Sequence, residues 1–155
     1  MQRTLALTAA MVLYVLASSL SGAEPLVGTW RLQRQEINGQ NGDFEPLVVQ
    51  IVQKGDRLSF AFSGPINEIY FVTLTYAVRL DGSDADINDA NGQKIGTIQM
   101  TRNGQGQYKL VMKGPARPDS KGTLAVSADG KTLTSESDAA PSGRPIHSKQ
   151  TFTRD

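Results

Sequence analysis

The residue with the clearest catalytic potential is His147, the single histidine of the chain, which is followed directly by Ser148. A serine, a histidine and a carboxylate can form a nucleophilic triad when a fold brings them together. The chain has no Gly-x-Ser-x-Gly elbow, however, and no second histidine that could complete a metal site. We therefore expect His147 to be a solvent-facing strand residue, and we expect no catalytic residue and no cofactor; an enzyme is kept as the third alternative.

Four carboxylates are gathered in segment 81–92, and a hard cation such as calcium takes oxygen ligands of this kind. In a twelve-residue calcium loop starting at Asp84, Asp89 stands where glycine is required and Ile95 where a bidentate glutamate belongs. Asp84 and Asp86 would share one face of an extended segment, as a glycosidase pair requires, but no aromatic platform for a sugar flanks them. We expect a solvated acidic turn and no metal; a weak calcium site is the alternative.

The most informative constellation is apolar and aromatic. Alternation along the predicted strands places six large side chains on inward faces: Phe60, Phe62, Tyr70, Tyr76, Tyr108 and Met112. Such residues can fill the interior of a small barrel as core, or they can line a lumen that is open at one end and binds a small apolar ligand. Both interpretations use the same residue types, so the sequence leaves both open.

The elements that would position these side chains are strands. No segment has sustained helical periodicity, and glycine-centred turns recur about every ten residues, which is typical of antiparallel sandwiches and barrels. Asp129-Gly130, between two alternating runs, is a specific hairpin signal. We predict nine strands, with polar loops at 38–43 and 81–93, at about 27–35, 46–53, 57–63, 69–80, 95–102, 107–113, 122–127, 131–137 and 145–153. The predicted fold is all-β: a single antiparallel up-and-down barrel of eight to ten strands.

Residues 1–23 have the features of a helical secretory signal peptide. Arg3 supplies a positive start, residues 5–20 are almost uncharged and apolar, and small residues precede a predicted cleavage after Ala23. An uncleaved membrane anchor is the alternative. Residues 24–155 then form one domain, and since the chain has no cysteine it must be stable without disulfides. We expect a periplasmic or secreted bacterial protein.

The charge balance limits the partners. Arg3 is the only charged residue of the leader, so a formal net charge of +1 becomes zero after cleavage. Nucleic-acid binding demands clustered Lys and Arg, and we expect none. No stretch after the leader is apolar enough to span a membrane.

The first strand contains the only tryptophan, in Gly28-Thr29-Trp30-Arg31-Leu32. Together with segment 126–134 and the closing residues 143–145 and 152–154, this opening resembles the lipocalin-like, calycin-type barrels of exported bacterial proteins, mostly of unassigned function. The resemblance implies that Gly28 and Trp30 lie at the closed end of a barrel and that Arg154 packs across the indole, a contact worth about 0.5–2 kcal/mol. The chain departs from classical lipocalins in its short length and in having no disulfide.

These observations favour an exported, non-enzymatic binding protein for a small hydrophobic molecule held in the barrel interior. The alternative is a protein-interaction module of the cell envelope, a protease inhibitor or an assembly factor, that uses loops at the rim. No particular protein partner is indicated.

Overall fold

The structure is a computed structural model that describes residues 22–115 and 118–155. The signal peptide prediction falls almost entirely on residues 1–21 and lies outside this range. Within it there is one short 3-10 turn, Pro141–Gly143. The strands of the described residues are β1 (Gly28–Ile37), β2 (Gln40–Gly42), β3 (Val48–Lys54), β4 (Arg57–Ile66), β5 (Ile69–Val78), β6 (Ala85–Asp89), β7 (Lys94–Gly104), β8 (Gln107–Lys113), β9 (Ser120–Val126), β10 (Thr132–Ala139) and β11 (Ile146–Arg154).

All pairings are antiparallel, and the sheet closes on itself. From β3 to β11 each strand pairs with the next along the chain, while β1 pairs with β3 on one edge and with β11 on the other. Ten strands form the closed ring, and the short β2 adds to β1 beyond β3. Closure removes the open edges that a flat sheet would expose. The predicted all-β, up-and-down barrel of eight to ten strands is confirmed.

Two strands lie in segments that we predicted to be loops. In β6 the apolar side chains of Ala85 and Ile87 are buried, whereas Asp86 between them is exposed. This is the period-two alternation of a strand with one face on the core, but the surrounding acidic residues obscure it. The second, β2, is only three residues long and pairs with the end of β1.

Among the β-bulges of the described strands, those in β1 and β5 change which side chains point inward near the cavity. In β1, Leu32 pairs with Phe152 and Arg34 with Thr151, so Gln33 is an extra residue. In β5, Leu74 pairs with Phe62 and Val72 with Ser63, so Thr73 is extra. Because directly opposed residues share a face, an extra residue moves every side chain beyond it to the other face.

The fully buried core lies toward one end of the barrel, where the turns at 55–56, 104–106 and 127–131 meet the segment that precedes β1. Its members include Leu26, Trp30, Val78, Ile98 and Met100, all 0% exposed. No polar or charged residue is fully buried among the described residues. In the same residues there is no helix long and apolar enough to cross a membrane.

Candidate functional site

The closed end of the barrel is built on Trp30. Its indole is completely buried, and its Nε1 donates a hydrogen bond to the Leu26 carbonyl at 2.9 Å. The bond satisfies the one polar atom of the ring, so burying the indole leaves no donor unpaired. The residues before β1 are thereby held beneath the strand that follows them.

Arg154 lies directly opposite Trp30 in the β1–β11 pairing, with its guanidinium carbon 4.2 Å from the centroid of the indole ring. Its Nε donates to the Gly130 carbonyl at 2.7 Å, and its Nη1 and Nη2 donate to the carbonyls of Val27 and Pro25 at 2.5 and 2.8 Å. One side chain therefore connects the last strand, the β9–β10 turn and the segment before β1. These contacts make the closed end a structural floor.

Gly28 belongs to the same floor. Its φ is +146°, a region that side-chain-bearing residues rarely adopt. A Cβ built on it would collide with Nη1 of Arg154. Glycine is needed here both for the backbone conformation and for the space that the guanidinium occupies.

Tyr108, one of the six predicted cavity residues, lies at this closed end rather than along the cavity. It is 1% exposed, and its hydroxyl contacts the Glu24 carboxylate, which also pairs with Arg102. Burial raises the pKa of the Tyr108 phenol, and the hydrogen bond and negative charge of Glu24 raise it further. Tyr108 points inward as predicted, but it helps to close the floor.

A cavity of about 330 Å³ lies above the floor, inside the barrel. Its volume is at the lower end of the range for small-molecule sites. Four of the predicted residues line it, namely Phe60, Phe62, Tyr76 and Met112. The rings of Phe60 and Tyr76 are stacked with centroids 4.6 Å apart, and Phe62 lies 5.6 Å from Tyr76. The aromatic residues of β4 and β5 therefore form one apolar wall.

The opposite wall, on β9 to β11, combines apolar side chains with polar ones that the sequence analysis missed. The polar residues are Ser120 of β9, Ser135 and Ser137 of β10, and Gln150 of β11. Leu133 is buried in β10, so alternation from it would have placed Ser135 and Ser137 inward. The remaining lining residues, also not singled out, are Leu47, Val49, Ile51, Thr73, Leu74, Leu110, Leu124, Leu133 and Phe152.

The prediction that Tyr70 points into the barrel is wrong. The bulge at Thr73 moves Tyr70 to the outer face, where it pairs with Pro65 and is 43% exposed. There it approaches Arg31, whose pKa is raised mainly by Asp155 and to a smaller extent by Tyr70. Unbroken alternation from Tyr76 would place Tyr70 inside, and the extra residue breaks it.

The β4–β5 hairpin extends beyond the barrel. β3 pairs with β4 only as far as Ser63, and β6 pairs with β5 only from Leu74, so Ile69–Thr73 has a strand neighbour on one side alone. The large apolar side chains at the tip of the hairpin are 43–61% exposed, namely Ile66, Ile69, Tyr70, Phe71 and Val72. Beside it, residues 43–47 and 64–66 line a rim groove that shares Leu47, Thr73 and Gln150 with the cavity. A second groove, lined in part by Lys113 and Lys121, shares Met112 and Ser120 with it.

His147 lies on the outside of β11. Its Nδ1 is 2.8 Å from Oδ1 of Asp138, its exposed neighbour on β10. Ser148 follows it on the strand and therefore points to the opposite face. The structure does not bring these two side chains together as a nucleophile and its base.

The acidic carboxylates of segment 81–92 are engaged separately. Asp81 accepts hydrogen bonds from the backbone and hydroxyl of Ser83, which lower the pKa of its carboxyl. Asp86 pairs with Lys94 at 2.6 Å, and Asp89 accepts from turn amides at the other end of β6. In the part of the chain that the structure describes, no three His, Cys, Asp or Glu side chains are grouped as metal ligands.

Comparison with known proteins shows that this chain is similar in fold to several solved structures. The zebrafish ileal bile acid-binding protein, complexed with cholic acid, aligns with a TM-score of 0.57 and 21% identity over 84% of this chain and 99% of its own. An S-type phycobiliprotein lyase from Guillardia theta aligns with a TM-score of 0.56 and 13% identity over 85% of this chain and 89% of its own. No family model and no curated protein sequence matches the chain.

At 21% and 13% sequence identity, these similarities show a shared fold. A closed antiparallel up-and-down barrel, a floor made by Trp30 and Arg154, and structural neighbours of the same form agree with one another. The chain has a calycin-type β-barrel fold, as its first and last strands indicate.

Proposed function

We propose that this protein is a non-enzymatic binding protein that holds a small hydrophobic molecule inside its barrel. The observation that carries the proposal is the 330 Å³ cavity between the aromatic wall of β4 and β5 and the serine wall of β9 and β10. Cavities of this kind bind ligands mainly by burying apolar surface, which is worth about 25 cal/mol per Å². The zebrafish protein of the same architecture holds cholic acid, which supports the proposal.

The proposal is tested with diphenylhexatriene, an uncharged hydrocarbon whose fluorescence rises in apolar surroundings. We expect saturable binding of one probe per barrel. Ser135→Phe places a phenyl ring in the cavity and should weaken binding at least about tenfold, as loss of roughly 1.4 kcal/mol would do. Ser59→Phe is the matched control, because Ser59 lies between Leu58 and Phe60 on the outer face of β4. No saturable binding, or equal loss in both variants, would contradict the proposal.

The β4–β5 hairpin favours a second candidate, a protein-interaction module that uses the rim. Ile69–Val72 is apolar and exposed, and it lacks a strand on its outer edge, a feature that can template pairing with another chain. Cross-linking in an envelope extract tests this. A partner captured by the unmodified protein and lost in Phe71→Ser would support it, and the same capture by both would not.

We also propose export, with cleavage after Ala23. In support, Glu24 is the residue at which side-chain contacts to the barrel begin among those described, through Tyr108 and Arg102. N-terminal sequencing of the protein isolated from its own source should start at Glu24. Isolated protein that still carries residues 1–23 would contradict cleavage.

A further inference from the structure

The charge of the cavity lining restricts the ligand. Among the residues that the structure describes, none of those lining the cavity is charged. The rim is mixed in charge: the rim groove beside the hairpin carries the carboxylates of Asp43 and Glu45, and a second groove, which shares Met112 and Ser120 with the cavity, carries Lys113 and Lys121. A carboxylate placed among the described lining residues of the lumen itself would meet no cationic side chain, and burying an unpaired charge is costly.

The polar groups of the site are instead hydroxyls and an amide on one side. Ser120, Ser135 and Ser137 make no side-chain hydrogen bond to any other described residue. Gln150 donates from Nε2 to Gln35 Oε1 at 2.9 Å, which leaves its own Oε1 as an acceptor. A serine hydroxyl both donates and accepts, so this wall can pair with hydroxyl or carbonyl groups.

The aromatic wall across the lumen has fewer polar groups. Phe60, Phe62 and Leu74 present carbon to the cavity, Tyr76 adds one phenol hydroxyl, and the Thr73 hydroxyl already donates to the Phe62 carbonyl at 3.2 Å. Most hydrogen-bonding groups of the lumen therefore lie on β9 to β11, where they stand beside Leu124, Leu133 and Phe152, whereas β3 to β5 present mainly apolar side chains.

We infer that the ligand is an uncharged amphiphile, a lipid or polycyclic alcohol or ketone, whose hydroxyl or carbonyl groups pair with the serine wall. This inference rests on the proposed function and adds to it the chemical class of the ligand. It departs from the neighbouring zebrafish complex, whose ligand is an acid.

The test compares 1-dodecanol with dodecanoate, which share a chain and differ in charge, as competitors of diphenylhexatriene at about pH 8, where a carboxylate is ionised. We expect 1-dodecanol to displace the probe and dodecanoate to bind at least about tenfold more weakly, because the carboxylate would be buried unpaired. Dodecanoate binding as tightly as the alcohol, or failure of both to displace a bound probe, overturns the inference while the proposed function stands. Failure of the probe itself to bind removes the proposed function.

A double substitution tests the serine wall. Ser135→Ala with Ser137→Ala should weaken 1-dodecanol about two- to tenfold, the equivalent of one net hydrogen bond, and leave diphenylhexatriene unchanged because that probe has no polar group. Ser59→Ala on the outer face is the control and should change neither. An unchanged affinity for the alcohol in the double variant, with the probe still bound, overturns the assigned role of the wall.

Discussion

Arg154 joins three parts of the chain, and its loss should be costly. Replacing it with methionine removes the contact with the Trp30 ring and three hydrogen bonds to carbonyls of residues 25, 27 and 130. We expect the free energy of unfolding to fall by about 2–4 kcal/mol in urea denaturation, since hydrogen bonds to charged groups are worth roughly 1.5–3 kcal/mol. Arg31→Met is the control, because Arg31 makes an exposed ion pair with Asp155, and ion pairs screened by solvent contribute little to stability. Equal decreases in the free energy of unfolding of the two variants would contradict the role of Arg154 in holding the closed end together.

Tyr108 should give the protein a specific alkaline instability. Burial and Glu24 raise its pKa in the folded state above the value of about 10 expected for an unfolded chain. The folded protein therefore keeps a proton that the unfolded chain loses, so this contribution to stability is complete below about pH 10 and declines as pH rises further.

Spectrophotometric titration and urea denaturation from neutral to alkaline pH measure this effect. The Tyr108 phenol should ionise only as the barrel unfolds, and Tyr108→Phe should flatten the alkaline decline. Tyr70→Phe, on the exposed hairpin, should keep the decline. Ionisation of Tyr108 in a fully folded barrel would contradict the burial that the structure assigns to it.

At the scale of single elements, β5 changes character along its length. Residues Leu74–Tyr76 pair on both edges, with β4 and β6, whereas Ile69–Val72 pairs with β4 alone. Amides on the free edge are exposed to water and open easily. Hydrogen exchange should therefore be fast at the amides of 69–73 that face away from β4 and slow throughout 74–76. Uniform protection along β5 would mean that another strand covers the hairpin.

Alternation predicted the local side-chain directions wherever a strand is regular. Leu58, Phe60 and Phe62 alternate without interruption, and Phe60 and Phe62 line the cavity as expected. It failed at Tyr70 because a bulge is a single extra residue with no fixed sequence signal, here Thr73. It failed at β6 because only two apolar residues mark that strand among carboxylates.

At the scale of the whole molecule, the barrel divides into a packed half and an open half. Trp30, Tyr108 and Arg154 close one end of the barrel. Toward the other end the large inward side chains line a cavity instead of filling the interior. The residue types were visible in the sequence, but whether they pack together or surround a cavity depends on barrel diameter and register, which arise only when all ten strands close. The same closure brings the serines of β10 opposite the aromatic residues of β4.

The most direct test of ligand binding in the lumen is to locate a bound molecule by NMR. With 1-dodecanol added to the labelled protein, we expect intermolecular nuclear Overhauser effects from its chain to the ring protons of Phe60, Phe62 and Tyr76. The exposed apolar side chains of Phe71 and Val72 provide the comparison, because a molecule that only adheres to the hairpin would contact them instead. Contacts to the three lumen rings would support ligand binding inside the barrel, and contacts confined to the hairpin would contradict it.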